Sequence, residues 1–106
     1  LSHYNIPVII ALFNNHTLGM VRQWQHLLYG ERYSQTDLEY APDFVKLAQA
    51  YGIPGARCGT QSELAGVMKQ ALAAGGPYFI QCAIHKDAMV HPMVPGGAGI
   101  TEFLLD

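Results

Sequence analysis

The first clear pattern along the chain is a continuous apolar run from Ile6 to Phe13, followed by the polar pair Asn14 and Asn15. A run without polar alternation is typical of a strand that is covered on both faces, as in a parallel sheet. We therefore predict a parallel, central strand that ends at the two asparagines. Pro7 is compatible with this prediction, because a missing ladder donor costs least near the first residue of a strand.

Apolar positions at helical spacing predict three helices after this strand. Their predicted boundaries are Gly19 to Leu28, Pro42 to Gly52, and Thr60 to Gly75. Thr60 and Glu63 have the spacing of a capping box, which marks the start of the third helix. The connection from Tyr29 to Ala41 is longer than is usual in an α/β unit, and long ordered loops are commonly functional.

Two further strands are predicted at residues 55–58 and 77–84. The order is then strand, helix, helix, strand, helix, strand, and right-handed crossovers imply a mostly parallel sheet flanked by helices. The predicted fold class is α/β. Residues 85–106 lack a period and contain Gly96-Gly97-Ala98-Gly99, so we expect a C-terminal tail there, for which the residues alone indicate flexibility.

Composition narrows the classes of partner. The formal net charge is −2, which offers no excess positive charge for phosphate backbones, so we expect no nucleic-acid partner. The longest apolar run is too short to span a bilayer, and we expect no membrane contact. Charged residues make up 13% of the chain, about half the ~25% usual for soluble proteins. This low charged fraction indicates that the chain is part of a larger protein or of a tight oligomer. We expect that it begins inside a longer chain.

The cysteines and histidines do not form a recognised ligand set. Cys58 and Cys82 each lie in a predicted strand and are interpreted as small core residues in a reducing compartment. The five histidines do not follow a known zinc spacing.

The candidate site is the end of the first strand. In open parallel sheets, ligands bind beyond the carboxyl ends of the strands, which is where Asn14 and Asn15 lie. Amide oxygens suit Mg²⁺, and a helix start suits phosphate, so a metal that bridges a diphosphate would fit. The alternative is that the asparagines only turn the chain and cap the helix. Met20 and Trp24 share a helix face, and the residues alone favour core packing for both.

The string from Leu12 to Gln25 resembles the end of the thiamine diphosphate motif in the catalytic subunits of acetohydroxyacid synthases (acetolactate synthases). Paired asparagines after an apolar strand mark thiamine enzymes generally, whereas Gly-Met-Val-x-Gln-Trp-Gln is specific to this family. Further matching segments are Arg32-Tyr33-Ser34, Pro42 to Ala48, Ala50 to Ile53, and His91 to Pro95. The resemblance implies that residues 1–106 are a partial C-terminal thiamine diphosphate-binding domain.

The resemblance also implies roles for individual residues. Asn15 would bind Mg²⁺ through its side-chain oxygen and Thr17 through its backbone carbonyl. Gly19 and Met20 would contact the cofactor. Trp24 would line the entrance to the reacting centre and help to select the second 2-ketoacid.

Further implications concern the whole enzyme. Family members decarboxylate pyruvate and condense it with pyruvate or 2-ketobutyrate in branched-chain amino-acid biosynthesis. Their Gly-Asp-Gly magnesium ligand, activating Glu and FAD site lie outside this chain, so we expect the isolated chain to be inactive and name no catalytic residue in it. Expected partners are the 2-ketoacid substrates, the rest of the catalytic subunit and a second catalytic subunit in a homo-oligomer, with a regulatory subunit as a further candidate. The expected location is the cytoplasm or, for a plant protein, the plastid.

Two other interpretations stay open at this point. The chain could belong to another thiamine-dependent carboligase or 2-ketoacid decarboxylase, although Trp24 within Gln23-Trp24-Gln25 argues against this. It could also be a noncatalytic α/β interaction domain that has lost its cofactor.

Overall fold

The computed structural model describes residues 1–105. Their regular elements are β1 (Ile9–Asn14), α1 (Gly19–Leu28), α2 (Phe44–Ala50), β2 (Gly55–Cys58), α3 (Gln61–Ala73) and β3 (Tyr78–Ala83). The predicted order of elements is confirmed. The largest difference in boundaries is at β1, which begins at Ile9, after Val8 has bonded back to Ile6 at 2.8 Å.

The three strands form one parallel sheet in the order β1-β3-β2. This confirms the predicted α/β class and the parallel pairing. The prediction that β1 is central is wrong for this sheet, because β1 pairs with β3 alone within residues 1–105. Its Phe13 side chain is 65% exposed. A continuous apolar run indicates which faces can be covered and carries no information on how many neighbours a strand has.

The core lies between α3 and one face of β2 and β3. Its buried members are Cys58, Ala71, Tyr78, Ile80 and Cys82. The predicted burial of both cysteines is confirmed, and their Sγ atoms lie 3.6 Å apart on adjacent strands. The predicted capping box is present at the start of α3, with both of its hydrogen bonds formed.

The C-terminal tail (residues 85–105) folds back on itself and lies against α1. Met93 and Leu104 form an antiparallel bridge within it, with backbone bonds of 3.1 and 2.8 Å.

The Cα radius of gyration is 17.2 Å, whereas a compact 100-residue domain has about 13 Å. None of the helices in residues 1–105 has the length and apolar character that a membrane crossing requires.

Candidate functional site at the carboxyl edge of the sheet

The end of β1 is shaped by two consecutive side-chain to backbone hydrogen bonds. The Asn14 side-chain oxygen accepts from the His16 N–H at 3.0 Å, and the Asn15 oxygen accepts from the Thr17 N–H at 3.2 Å. His16 between them has a φ of 54°. The asparagines therefore do turn the chain, as the simpler interpretation predicts. They do not cap α1, because its N-cap position is Leu18 and no side chain bonds there.

The long loop (residues 29–41) holds Thr17 in place. The Thr17 hydroxyl donates to the Thr36 carbonyl at 2.7 Å, and the Leu18 N–H donates to the same oxygen at 2.8 Å. Leu38 in turn donates to the His16 carbonyl at 2.8 Å. Thr17 is 6% exposed. Within residues 1–105, nothing donates a hydrogen bond to the Thr17 carbonyl oxygen, which leaves both of its lone pairs available.

The first turn of α1 presents unpaired donors beside these oxygens. Arg22 is the first residue of the helix whose N–H bonds backwards, to the Leu18 carbonyl at 2.9 Å. In the described part of the chain, the N–H groups of Gly19, Met20 and Val21 have no backbone acceptor. The first turn also contains no acidic residue. Such a helix start carries positive potential and suits an anion such as a diphosphate.

Gly19 joins the two halves of this site. A Cβ atom at position 19 would lie 2.7 Å from the Asn15 side-chain nitrogen, which is closer than real Cβ contacts occur. The Asn15 amide therefore packs directly on the start of α1, and this approach requires glycine. One amide oxygen and one backbone carbonyl are neutral, hard donors of the kind Mg²⁺ takes, so the residues present fit a magnesium ion that is shared with a diphosphate.

A cleft of about 400 Å³ opens at this edge of the sheet. It is lined by Asn15, His16, Asp37, Leu38, Glu39, Ile84 and Lys86. The carboxylates of Asp37 and Glu39 would repel a bare diphosphate, which favours an anion that arrives with a cation. Sequence reasoning missed Glu39 and Lys86 as lining residues. Lys86 follows the end of β3, so its position after a parallel strand was the available signal.

A second, apolar groove of about 590 Å³ lies along α1, and we call it the Trp24 groove. It is lined by Met20, Val21, Trp24, Gln25, Tyr29 and Arg32. Met20 is 50% exposed and Trp24 is 40% exposed, so the interpretation that both pack in the core is wrong. Sequence reasoning missed Arg32 as a lining residue. Arg32 lies in the Arg32-Tyr33-Ser34 segment that matches the family, and this match could have indicated that it lies near the site.

The buried side of α1 is polar. Arg22 is 8% exposed and Gln23 is 3% exposed. The Arg22 guanidinium bonds to the Asp87 carboxylate at 2.6 Å, which lowers the pKa of Asp87 and raises that of Arg22. The helix thus turns its apolar residues outward and its polar residues toward the tail. This is the reverse of what an isolated amphipathic pattern indicates.

Fold and site together define a class of protein: an α/β domain with a cleft and a helix start where its parallel sheet ends. Residues 1–82 match the family described as "Thiamine pyrophosphate enzyme, C-terminal TPP binding domain". The chain belongs to this family.

Curated relatives extend the match to nearly the whole chain. It is 43% identical over 104 residues to a probable acetolactate synthase large subunit of Methanocaldococcus jannaschii, covering 98% of this chain and 17% of the relative. It is 50% identical over 102 residues to the acetolactate synthase large subunit of Mycobacterium tuberculosis, covering 92% and 16%. It is 44% identical over 98 residues to the mitochondrial acetolactate synthase catalytic subunit of Saccharomyces cerevisiae, covering 92% and 14%. The chain spans about one sixth of the length of these relatives.

A solved structure supports the fold. The chain superposes on the thiamine diphosphate-dependent 4-hydroxybenzoylformate decarboxylase of Rhodococcus jostii RHA1 with a TM-score of 0.71 at 32% identity. The match covers 82% of this chain and 16% of that protein. The predicted resemblance to a thiamine diphosphate-binding domain is therefore confirmed.

Proposed function

We propose that residues 1–106 are part of the catalytic subunit of an acetolactate synthase. The full-length protein would decarboxylate pyruvate and condense it with a second 2-ketoacid, in branched-chain amino-acid biosynthesis. The observation that carries the proposal is the Trp24 groove on the helix that follows Asn15 and Thr17, in a chain 42–50% identical to curated acetolactate synthases. A pyruvate-consuming carboligase needs both an anchored cofactor and an apolar pocket that accepts a short alkyl group.

Asn15 and Thr17 are the residues of this chain that would hold Mg²⁺, through the side-chain oxygen of one and the backbone carbonyl of the other. The free N–H groups of Gly19 and Met20 would donate to the diphosphate of thiamine diphosphate. When bound, this cofactor supplies the electron sink that decarboxylation and carbon–carbon bond formation require. The contribution of the chain is to fix the charged end of the cofactor in one place, which lowers the entropic cost of reaction.

Trp24 and Met20 would form the wall against which the second 2-ketoacid binds. The exposed indole of Trp24 and the exposed thioether of Met20 would make dispersion contacts with an alkyl substituent, which needs no hydrogen-bonding partner. An ethyl group would make more of these contacts than a methyl group, so 2-ketobutyrate would be favoured over pyruvate. The difference for one methylene is about 1 to 3 kcal/mol.

The remaining parts of the enzyme would lie outside this chain. These parts are the third protein ligand to magnesium, the group that activates the cofactor, and the FAD site. A second catalytic subunit would complete the site in a homo-oligomer, and a regulatory subunit would be a further partner. We place the protein in the cytoplasm, or in the plastid for a plant source, whereas the yeast relative is named as mitochondrial.

The test is a cofactor titration of the full-length protein. We expect acetolactate formation that depends on both thiamine diphosphate and Mg²⁺, and we expect Asn15→Ala to raise the Mg²⁺ concentration needed for half activation by tenfold or more. Gln70→Ala, on the exposed face of α3, is the matched control and should change neither dependence. Equal Mg²⁺ requirements in wild type and Asn15→Ala would contradict the proposed site.

The structural likeness to a decarboxylase makes that activity the second candidate. The products separate the two, because a decarboxylase releases an aldehyde from its 2-ketoacid and a synthase forms acetolactate from pyruvate. A full-length protein that binds no thiamine diphosphate at all would instead favour a noncatalytic interaction domain.

A further inference from the structure

Trp24 is flanked by two glutamines that bind two different segments in the same way. The Gln23 side-chain N–H donates to the Val90 carbonyl at 3.0 Å, while its oxygen accepts from the Val90 N–H at 2.8 Å. The Gln25 side-chain N–H donates to the Ser34 carbonyl at 3.0 Å, while its oxygen accepts from the Ser34 N–H at 3.3 Å. Each carboxamide thus satisfies both polar groups of one backbone residue, as a neighbouring strand would.

We call these two pairs of hydrogen bonds the Gln23 clamp and the Gln25 clamp. They differ in burial and in the segment that they hold. Gln23 is 3% exposed, bonds a residue of the C-terminal tail, and also approaches the Met93 sulfur at 3.5 Å. Gln25 bonds a residue of the long loop at an exposed position. A buried polar group that loses its partner costs more than an exposed one, because water does not replace the lost bond. The Gln23 clamp is therefore the stronger of the two.

Arg22 ties both segments to the same turn of α1. Its Nε atom lies 2.6 Å from the Asp87 carboxylate in the tail. Its guanidinium lies 3.8 Å from the centre of the Tyr33 ring, and Nη1 lies 3.8 Å from the Asp37 carboxylate, both in the long loop. A planar guanidinium can stack on a ring and bond a carboxylate at once, which a lysine cannot do. Tail and loop are thus anchored side by side.

The Trp24 groove shares residues with the anchored long loop. Two of its lining residues, Tyr29 and Arg32, belong to the long loop, and Gln25 lines it directly. Release of Ser34 would free the loop next to Arg32, and release of Val90 would free the tail from the buried side of the same turn. In a groove that discriminates substrates by dispersion contact, a displacement of about 1 Å is enough to lose the discrimination.

We propose that Gln23 and Gln25 are positioning residues: they hold the tail and the long loop to the turn of α1 that presents Trp24, and so keep the groove selective for the second 2-ketoacid. The selectivity part of this inference rests on the proposed function, whereas the anchoring part does not. Neither glutamine is assigned to the reacting atoms.

The experiment is hydrogen exchange by mass spectrometry on the full-length protein with Gln23→Met and Gln25→Met. Methionine keeps the length of the side chain and removes both hydrogen bonds. We expect Gln23→Met to accelerate exchange about tenfold in peptides covering residues 87–93, and Gln25→Met to do so around Ser34, each without affecting the other segment. Gln49→Met, on the exposed surface of α2, is the matched control. Unchanged exchange at the named segments would overturn the anchoring.

The second readout is the ratio of products formed when pyruvate and 2-ketobutyrate compete. Gln23→Met changes no lining residue of the groove and should still lower the preference for 2-ketobutyrate severalfold, whereas a purely structural role would lower yield or stability and leave that ratio unchanged. If Gln23→Met does not fold, Gln23→Asn keeps a neutral amide on a side chain one methylene shorter, and faster exchange in residues 87–93 of that variant would support the anchoring. Faster exchange with an unchanged ratio would overturn the selectivity role. A wild-type protein that forms no acetolactate would overturn the proposed function and leave the exchange result valid.

Discussion

Gly19 begins α1 at the point where the Asn15 side chain packs on it, and Gly19→Ala tests this contact directly. Two opposite effects are expected. Alanine is favoured over glycine inside a helix by roughly 0.5 to 1 kcal/mol, so the free energy of unfolding should stay level or rise slightly. The new Cβ, however, would lie 2.7 Å from the Asn15 side-chain nitrogen.

The size of the second effect follows from that distance. The Asn15 amide nitrogen must move by about 0.7 Å to reach an ordinary contact of 3.4 Å. The nitrogen is at the far end of a flexible side chain, so the amide can rotate away cheaply. Rotation also moves the amide oxygen, which accepts from the Thr17 N–H and is the proposed magnesium ligand. A misplaced ligand of this kind costs about 10- to 100-fold in metal affinity.

The assay is Mg²⁺-dependent binding of thiamine diphosphate to the full-length protein, measured beside its thermal unfolding. We expect weaker Mg²⁺ binding by about tenfold or more with a Tm within a few degrees of wild type. Gly66→Ala is the matched control, because a Cβ there would meet open space on α3. If Gly19→Ala bound Mg²⁺ as wild type does, the proposed contact of Asn15 with the metal would be refuted. A large fall in Tm would instead show that the site tolerates no rotation of Asn15.

Four further predictions follow from the same structure. Trp24→Leu should lower the preference for 2-ketobutyrate over pyruvate by about tenfold or more, with little loss of stability because the side chain is 40% exposed; product ratios from competing substrates check this. The Arg22 guanidinium lowers the pKa of Asp87, so the stabilisation from the Arg22–Asp87 ion pair should be complete above pH 3.8, the ordinary pKa of the carboxyl group, and should be lost as the pH falls further. Hydrogen exchange in the tail of the wild type, compared with Asp87→Asn, measures this loss. Thr60→Ala should lower the free energy of unfolding by about 0.5 to 2 kcal/mol in denaturant titrations, with Gln70→Ala on the exposed face of the same helix as control, since the capping box of α3 is lost. The isolated 106 residues should form no acetolactate, and robust turnover by them would contradict the roles assigned to other domains.

Local signals accounted for most of the fold. The capping box at Thr60 and Glu63 placed the start of α3, and Gly19 placed the start of α1. Parallel pairing followed from the helices between the strands, because such crossovers leave few topologies. The pairing of β1 with β3 was not predictable in this way, since it joins strands across a gap of more than sixty residues.

The orientation of α1 shows why part of the site escaped sequence reasoning. Its apolar spacing predicted a helix correctly and suggested that Met20 and Trp24 face the core. Arg22 and Gln23 are buried instead, because their partners Asp87 and Val90 are 65 and 67 residues away in the chain. A periodicity argument sees only neighbours within a few turns. The exposure of Trp24 agreed with the family resemblance, which carries information that spacing alone does not.

The three sides of α1 explain why its orientation matters to the proposed chemistry. Its first turn offers free N–H groups beside Asn15 and Thr17, its outer side forms the Trp24 groove and holds the long loop through Gln25, and its inner side holds the tail through Gln23. Gly19 and Trp24 are five residues apart, which is about 7.5 Å along a helix axis. An anchored anion and an apolar substrate wall therefore keep a nearly fixed separation as long as the helix does not move. Polar bonds on the inner side hold the helix without using the apolar surface that the groove needs, so burying Gln23 and exposing Trp24 are two parts of the same arrangement.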